Sequence, residues 1–314
     1  MERRYNNYND ILKNSFPNRV QKVSINAGFT CPNRDGSKGK GGCTYCNNQT
    51  FVPGYAKPIK SVTQQIDEGI DFFKRNVKYE NQEYLAYFQS YTNTYDSLDK
   101  LERIYGEALR HPRVSGIVVG TRPDCVDDRI LDYFANLAKS KYVMIEYGIE
   151  STRDETLEFI NRGHDYASTV EAIEATAARG LNTGAHMILG LPGEDRETIL
   201  GHVDKLNTLP LNALKLHQLQ IVKGTVMAQQ SKEHPEWFSY FTVEEYIDLC
   251  IEFIERLNPD IAIERFVSQS PKNLLLSPDW GLKNFEFVAK LEKRLEELDT
   301  WQGKIYQQLQ QKSS

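Results

Sequence analysis

Three cysteines in one glycine-rich loop are the residues of this sequence best suited to chemistry. Cys31, Cys43 and Cys46 follow the spacing C-x11-C-x2-C. Thiolates are soft ligands that favour iron–sulfur clusters, and a four-iron cluster held by only three of them keeps one iron free for a further ligand. The spacing therefore predicts a 4Fe–4S cluster with one open iron.

A structural zinc site is the alternative for the same three thiolates. Such a site is completed by a fourth cysteine or by a histidine, but the nearest histidine in the sequence is His111 and there is no second C-x2-C pair. The zinc alternative therefore requires a distant histidine. The other two cysteines, Cys125 and Cys250, are expected to be buried or incidental thiols.

The elements that must position this loop alternate between strands and helices. Apolar runs predict six strands, with helical patterns between them, at residues 20–27, 84–89, 116–120, 142–148, 183–189 and 213–222. Parallel βαβ units of this kind form a doubly wound sheet or a partial barrel, and in both folds ligands bind beyond the carboxyl ends of the strands. The cysteine loop directly follows the first strand, so we expect it at that end.

Beyond residue 225 the pattern changes to helices around one strand-like run at residues 261–267. We therefore predict an α/β core over residues 1–225 and a mainly helical extension over residues 226–314. No linker rich in proline, glycine or serine separates the two parts, so the extension is expected to pack on the core.

Composition and charge restrict the class of protein. With 40% hydrophobic and 26% charged residues, the 314-residue chain is an ordinary globular protein. The net charge is only -5, but residues 1–60 contain ten Lys or Arg against three Asp or Glu, a local net charge of +7. An odd number of cysteines suits a reducing compartment. The polar start and the lack of a long apolar run predict a cytoplasmic protein without a membrane partner.

Several motifs accompany the cysteine loop in a fixed order. They are Tyr45 before the last cysteine, TRPD at residues 121–124, NRGH at 161–164, AHMILGLPG at 185–193 and KLH at 215–217. Together they resemble the radical S-adenosylmethionine (SAM) superfamily. The x11 spacing, in place of the usual x3, is similar to its elongator-like branch and to small relatives of the YhcC/YtqA type. The resemblance covers about residues 20–225 and implies a partial (β/α)6 TIM-like barrel.

The resemblance also implies two cofactors. They are a 4Fe–4S cluster on Cys31, Cys43 and Cys46, and SAM, whose methionyl end binds the open iron. Reductive cleavage of SAM then yields a 5'-deoxyadenosyl radical, which takes a hydrogen atom from the substrate. An electron donor such as flavodoxin or ferredoxin is the implied partner, and Tyr45 is expected against the adenine.

Five further residues match positions that bind SAM in the superfamily. Gln89 and Asn93 follow the second strand, where a glycine-rich turn usually meets the methionyl amino group. Glu150 and His186 correspond to ribose contacts. Arg162, in NRGH, corresponds to the group that holds the methionyl carboxylate, a role suited to a forked guanidinium.

Lys215 and His217 correspond to a Lys and Tyr pair that faces the substrate in the elongator branch, which makes them the predicted catalytic residues. The change from Tyr to His suggests a different substrate. Fewer than 90 residues follow residue 225, too few for the acetyltransferase domain of elongator enzymes.

A reaction at an existing C5 side chain of the wobble uridine in transfer RNA is therefore our first hypothesis. The alternatives are a radical SAM enzyme acting on a small metabolite or peptide, and a non-catalytic zinc-binding protein.

Overall fold

Seven parallel strands form one sheet that curls into an open barrel in a computed structural model, which describes residues 3–74 and 81–313. The strand order is β1-β2-β3-β4-β5-β6-β8, and β7 and β9 form a separate antiparallel pair. The strands are β1 (Val20–Ile25), β2 (Glu83–Phe88), β3 (Val114–Thr121), β4 (Tyr142–Glu150), β5 (Asn182–Leu189), β6 (Ala213–Gln218), β7 (Ile221–Val222), β8 (Ala262–Arg265) and β9 (Leu275–Ser277).

Helices connect the strands of the sheet and complete the carboxy-terminal part. They are α1 (Tyr8–Ser15), α2 (Pro32–Asp35), α3 (Val62–Lys74), α4 (Leu98–Arg110), α5 (Asp128–Ala138), α6 (Asp154–Phe159), α7 (Tyr166–Ala177), α8 (Arg196–Leu206), α9 (Val226–Glu233), α10 (Val243–Arg256), α11 (Asn284–Glu297) and α12 (Lys304–Ser313). In the part of the chain that the structure describes, no helix has the length and apolar character needed to cross a bilayer.

Strand β4 shows how the sequence builds both faces of the sheet. Val143, Ile145 and Tyr147 belong to the main hydrophobic core between the sheet and the helices. The alternate residues Met144 and Glu146 are equally buried but lie on the interior face of the barrel. Because a parallel strand is buried on both faces, its sequence is nearly continuous in apolar residues. The charged Glu146 departs from that pattern.

Helix α1 closes the amino-terminal end of the barrel. Its residues Tyr8 and Leu12, with Phe16 just after it, pack in one cluster with interior side chains of the strands, namely Leu85, Tyr87, Val118, Met144, Ala213 and Ala262. The Tyr8 hydroxyl lies 2.9 Å from that of Tyr142, and the backbone N–H of Ile263 donates to Asn6 over 2.7 Å. The polar amino-terminal sequence therefore supplies the base of the barrel, which the apolar pattern did not predict.

The predicted α/β partial barrel with carboxy-terminal helices is confirmed, with two differences of detail. The predicted strand at 213–222 divides into β6 and β7, and the strand-like run predicted at 261–267 forms β8, which joins the sheet as its seventh strand. The division of the chain at residue 225 stays a prediction. Since β8 pairs with β6, the two parts share one sheet.

Candidate active site

The carboxyl ends of the strands surround a cavity of about 240 Å³. It is lined by ten of the eleven residues predicted from the sequence, namely Cys31, Cys43, Cys46, Tyr45, Gln89, Glu150, Arg162, His186, Lys215 and His217. Asn93 does not line it, and neither do Cys125 and Cys250. Residues spread over nearly 190 positions of sequence thus converge at the edge of the sheet where a parallel α/β fold binds its ligands.

Amide and guanidinium groups surround the cysteine sulfurs. Arg162 Nη1 lies 3.6 Å from Cys43 Sγ, and Asn33 Nδ2 lies 3.7 Å from the same sulfur. Asn48 Nδ2 lies 3.7 Å from Cys46 Sγ. Such N–H donors stabilise negative charge on thiolates and on the clusters that thiolates hold. Burial raises the pKa of the Cys46 thiol, and nearby Cys43 adds to this effect.

The eleven residues between the first two cysteines form a closed loop. The backbone N–H of Gly42 donates to the Asn33 carbonyl over 2.8 Å, which brings Cys43 back beside the short helix α2. A Cβ on Gly42 would lie 2.8 Å from Arg34 Nε, so only glycine allows the backbone to approach that side chain. Arg34 in turn donates to the Cys46 carbonyl over 2.9 Å.

This loop suits a cluster better than a single ion. Three thiolates face one cavity, with N–H donors directed at two of the sulfurs, which is the donor set that an iron–sulfur cluster uses. Among the described residues, no three His, Cys, Asp or Glu side chains come close enough to hold one metal ion together.

Arg162 is fixed above the end of β4. Its Nη2 donates to the Gly148 carbonyl over 2.5 Å and lies 3.7 Å from Glu150 Oε1. Burial alone would lower the pKa of Arg162, but Tyr45, Cys43 and Glu150 hold it well above its usual value. Its buried Nε has no hydrogen-bond partner among the described residues. A charged guanidinium with a free donor at the cavity can bind a carboxylate.

Two residues of the cavity wall adopt unusual backbone geometry. Glu150 has φ 68° and Tyr91 has φ 63°, in the left-handed region that side chains other than glycine seldom enter. Tyr91 is held there because its backbone N–H donates to Asn48 Oδ1 over 3.1 Å. Both residues line the cavity, and backbone strain of this kind concentrates at functional sites.

Asn93 occupies a structural position behind the cavity wall. It is fully buried, and its Nδ2 donates to the carbonyls of Phe88 (3.2 Å) and Gly120 (2.7 Å), which joins the ends of β2 and β3. Because its Nδ2 donates to backbone carbonyls, this group makes no contact in the cavity. A cofactor contact by Asn93 stays a prediction. Gln89, by contrast, lines the cavity.

Below the cavity, four charged side chains form what we call the charged layer: Lys22, Glu146, Lys215 and Glu264. Lys22 Nζ lies 2.9 Å from Glu146 Oε1 and 2.6 Å from Glu264 Oε2. Lys215 Nζ lies 2.6 Å from Glu146 Oε2 and 3.2 Å from Glu264 Oε1. Because Lys22 is on β1 and Glu264 on β8, the layer links the two edge strands of the sheet across the barrel interior.

Burial and charge determine the ionisation of the layer. Burial alone would raise the pKa of Glu146, but Lys215 and Lys22 hold that pKa well below its usual range. Burial lowers the pKa of Lys215, against the attraction of Glu146 and Glu264. Two lysines facing two carboxylates make the layer neutral overall, which satisfies each charge away from water.

Two histidines and an arginine line the cavity beside the charged layer. His186 Nε2 is 3.0 Å from Glu146 Oε2, and the His186 and His217 rings are 5.5 Å apart between centroids. Burial, reinforced by His186, lowers the pKa of His217 well below its usual value, so its ring is neutral. Its buried Nε2 has no partner among the described residues. Arg265, at the end of β8, also lines the cavity.

Several of these site residues were missed from the sequence. Glu146, Lys22 and Glu264 each place a charge at an interior position of a strand, and that interruption of an apolar pattern was an available signal. Asn33 and Arg34 offered no signal, because their contacts depend on how the cysteine loop folds.

Comparison with known proteins defines the class to which this site belongs. The family model described as the Radical SAM superfamily matches residues 28–206, and the Radical_SAM C-terminal domain matches residues 211–297. The chain therefore belongs to the radical SAM superfamily and is a radical SAM enzyme. The family implies a 4Fe–4S cluster and SAM, which together supply a carbon radical by reductive cleavage of SAM.

Particular relatives refine this picture. The uncharacterized protein YtqA of Bacillus subtilis (strain 168) is 31% identical over 315 residues, covering 100% of this chain and 96% of YtqA. A tRNA uridine(34) acetyltransferase of Methanocaldococcus jannaschii is 24% identical over 166 residues, covering 52% of this chain and 29% of the acetyltransferase. The structure of the archaeal Methanocaldococcus infernus Elp3 superposes with a TM-score of 0.68 at 14% identity, covering 91% of this chain and 64% of Elp3. This structural match supports the fold.

Proposed function

We propose that this radical SAM enzyme acts on transfer RNA, at a side chain already present on C5 of the wobble uridine. The observation that carries the proposal is the sequence similarity to an enzyme named for tRNA uridine(34). The segment after the core matches a radical SAM C-terminal domain over residues 211–297 and contributes β8 to the sheet, so this segment is no acetyltransferase. Modifying an existing side chain fits these observations better than adding an acetyl-derived one.

The mouth of the cavity supports an RNA substrate. Phe51 and Tyr91 line the cavity and remain 37% and 40% exposed. The Arg34 guanidinium carbon lies 6.0 Å from the centre of the Tyr91 ring. Exposed aromatic rings beside a cation are surfaces on which RNA bases stack, and an enzyme that modifies a base must take it out of the stack.

The cysteines and the neighbouring polar residues would hold the two cofactors. Cys31, Cys43 and Cys46 are proposed as the iron ligands, with Tyr45 against the adenine of SAM. Arg162 would bind the methionyl carboxylate through its unpartnered Nε, which is available because Glu150 and a backbone carbonyl occupy the other end of the guanidinium.

Gln89, Glu150 and His186 would contact the remaining polar groups of SAM. All three line the same cavity, and His186 is oriented by its hydrogen bond to Glu146. Asn93 would act indirectly: its Nδ2 donates to the Phe88 carbonyl, which fixes the backbone just before Gln89.

Lys215 and His217 are the proposed catalytic residues. Lys215 is held between two carboxylates and the Tyr87 hydroxyl, at 3.0 Å, so its ammonium group has a fixed position. The neutral His217 ring has a free nitrogen at the cavity, which allows it to accept or donate a hydrogen bond to the substrate near the carbon that loses its hydrogen atom. An electron carrier such as flavodoxin or ferredoxin, in a reducing cytoplasm, is the proposed partner.

Anaerobic reduction with dithionite in the presence of SAM tests the proposal. Wild-type protein is expected to form 5'-deoxyadenosine, and bulk transfer RNA from a strain lacking the gene is expected to increase the rate. A Cys31→Ala variant is expected to form none, whereas Cys125→Ala serves as the matched control outside the cavity.

Mass spectrometry of transfer RNA nucleosides completes the test. Loss of the gene should change the wobble uridine, and wild-type enzyme should reverse that change. Unchanged nucleosides, together with cleavage of SAM that ignores RNA, would refute the RNA substrate and favour a small metabolite or peptide. No cleavage by the reconstituted wild-type protein would contradict the catalytic assignment itself.

A further inference from the structure

Arg265 differs from the other arginines of the cavity. Four guanidinium groups line the cavity in addition to Lys215 of the charged layer. Arg34 donates to a backbone carbonyl, Arg122 pairs with Asp124 at 2.9 Å, and Arg162 pairs with Glu150. Within residues 3–74 and 81–313, the Arg265 side chain has neither a hydrogen bond nor an ion pair, although its backbone belongs to the β6–β8 pairing.

A local irregularity of the sheet directs Arg265 into the cavity. In the pairing of β6 with β8, Leu214 is opposite Ile263 but Lys215 is opposite Arg265, so Glu264 is the extra residue of a bulge. Regular alternation would place Glu264 inside and Arg265 outside. With the bulge, Glu264 reaches Lys215 and Lys22 while Arg265 also lines the cavity. Bulges of this kind re-aim side chains next to active sites.

The charged side chains around Arg265 leave its guanidinium without a counter-charge. Lys22 and Lys215 are neutralised by Glu146 and Glu264, and the remaining carboxylate of the cavity wall, Glu150, already pairs with Arg162. A half-buried guanidinium without a partner is unfavourable, because water solvates it incompletely. Next to it, His217 presents a buried nitrogen that also lacks a described partner.

We propose that Arg265 is a specificity-determining residue that binds an oxyanion of the substrate, with His217 as the adjacent hydrogen-bonding group. The forked guanidinium matches a carboxylate or a phosphate equally well. On the proposed function, the oxyanion is either a carboxylate on the C5 side chain of the uridine or the phosphate of the same nucleotide. The assignment of an anion site to Arg265 is independent of the proposed function, and only the choice of RNA as the substrate rests on it.

Binding measurements with three short RNA hairpins separate the two sources. The first carries C5-carboxymethyluridine at the wobble position, the second carries its methyl ester, and the third carries the acid with a methylphosphonate in place of the wobble phosphate. Affinities are measured by fluorescence anisotropy at one fixed salt concentration, since RNA binding depends on salt. The protein is the reconstituted enzyme as wild type, Arg265→Gln, Arg265→Lys and Arg129→Gln.

Wild-type enzyme is expected to bind the first hairpin about 10- to 100-fold more tightly than the hairpin that lacks the recognised anion. Arg265→Gln should remove this discrimination, and Arg265→Lys should retain part of it because lysine keeps the charge without the fork. Arg129, on α5 with a side chain 81% exposed, is the control and should behave as wild type. An equal ratio in wild type and Arg265→Gln would overturn the inference.

Three further measurements distinguish failure of the inference from failure of the proposed function. SAM affinity without RNA is compared in wild type and Arg265→Gln, and a matching loss would assign Arg265 to SAM and overturn the inference. Broadening of the 31P signal of inorganic phosphate and saturation transfer to acetate require no RNA. If these two signals depend on Arg265 while no hairpin binds, the result supports an anion site at Arg265 and refutes RNA as the substrate. If neither signal depends on Arg265, the anion site fails.

Discussion

Replacement of Glu146 by glutamine is the perturbation that most directly tests the charged layer. Glu146 is only 1% exposed, and its two oxygens contact Lys22 at 2.9 Å, Lys215 at 2.6 Å and His186 at 3.0 Å. Glutamine has nearly the same shape but no charge. The variant therefore leaves two buried ammonium groups facing one remaining carboxylate, Glu264.

The expected loss of stability follows from this imbalance. Removing one partner of a buried ion pair destabilises a protein by about 3–5 kcal/mol, because the other charge stays buried without compensation. Glu264→Gln removes contacts to the same lysines, but Glu264 is 15% exposed, so water compensates part of the change. We expect a smaller loss of about 1.5–3 kcal/mol, the range for hydrogen bonds to charged groups.

Urea unfolding followed by circular dichroism and by tryptophan fluorescence measures both losses in the protein without bound cofactors. The double variant Glu146→Gln with Lys215→Met removes one charge of each sign. We expect it to be destabilised by less than the sum of the two single variants, since groups in one network are not additive. If Glu146→Gln unfolds within about 1 kcal/mol of wild type, or if the two changes are additive, the charged layer does not contribute as we infer.

Three other predictions concern the cysteine loop, the cavity wall and the effect of acid. Reconstituted Cys31→Ala should contain less iron and lose the visible absorption of the cluster, whereas Cys125→Ala should retain about four irons per chain; equal iron in both would contradict the ligand assignment. A Cβ at Gly148 would lie 2.5 Å from Glu150 Oε1 and 2.6 Å from Arg162 Nη2, so Gly148→Ala should displace both side chains and weaken SAM binding measured by calorimetry. Gly201 on α8 has open space around it, so Gly201→Ala is the control and should leave the affinity for SAM unchanged. An adjacent guanidinium lowers the pKa of Asp124 from 3.8 to about 2 despite burial, so its stabilising effect is present above pH 4 and is lost as the pH falls through 2. Unfolding measured between pH 5 and pH 2 should therefore show wild type losing up to about 2 kcal/mol more stability than Asp124→Asn, and parallel curves would disprove the assignment.

The sequence predicts the site well where a single residue type carries the signal. Cysteine spacing led to the loop, because three thiolates so close together have few structural roles. Arg162 was predicted from the resemblance of NRGH to the superfamily, since an arginine in a loop is ordinarily solvated. Glu146 was not predicted, because ligands are expected at the carboxyl ends of strands and β4 ends at Glu150, four residues later. Its signal was a carboxylate at the centre of the apolar run VMIEYGI, a position that requires a buried cation nearby.

Net charge along the sequence was a weaker guide. The local net charge of +7 belongs to residues 1–60 as a segment of sequence and does not by itself define a basic surface. Lys22 lies inside the barrel, and Arg4 pairs with Asp299 at 2.9 Å near the terminal helices. Lys60 pairs with Glu68 on α3. Sequence neighbours on β1 and the helices beside it face different directions, so a local sum of charges does not describe one face of the molecule.

Arg265 shows a limit of sequence reasoning that is physical in origin. Period-two alternation assigns Ala262 and Glu264 to the barrel interior and Arg265 to the outside. The bulge, which leaves Glu264 inside and brings Arg265 to the cavity as well, is an added residue in a ladder, and it is defined only by the register of β8 against β6. Register depends on packing between distant parts of the chain, here the contact of Glu264 with Lys22 on β1. The charged layer holds Glu264 inside, as regular alternation would, and the bulge adds Arg265 to the same face. Because Arg265 directly follows Glu264, its place at the cavity depends on the contacts that hold Glu264. Weakening the layer should therefore alter recognition of the substrate anion as well as stability.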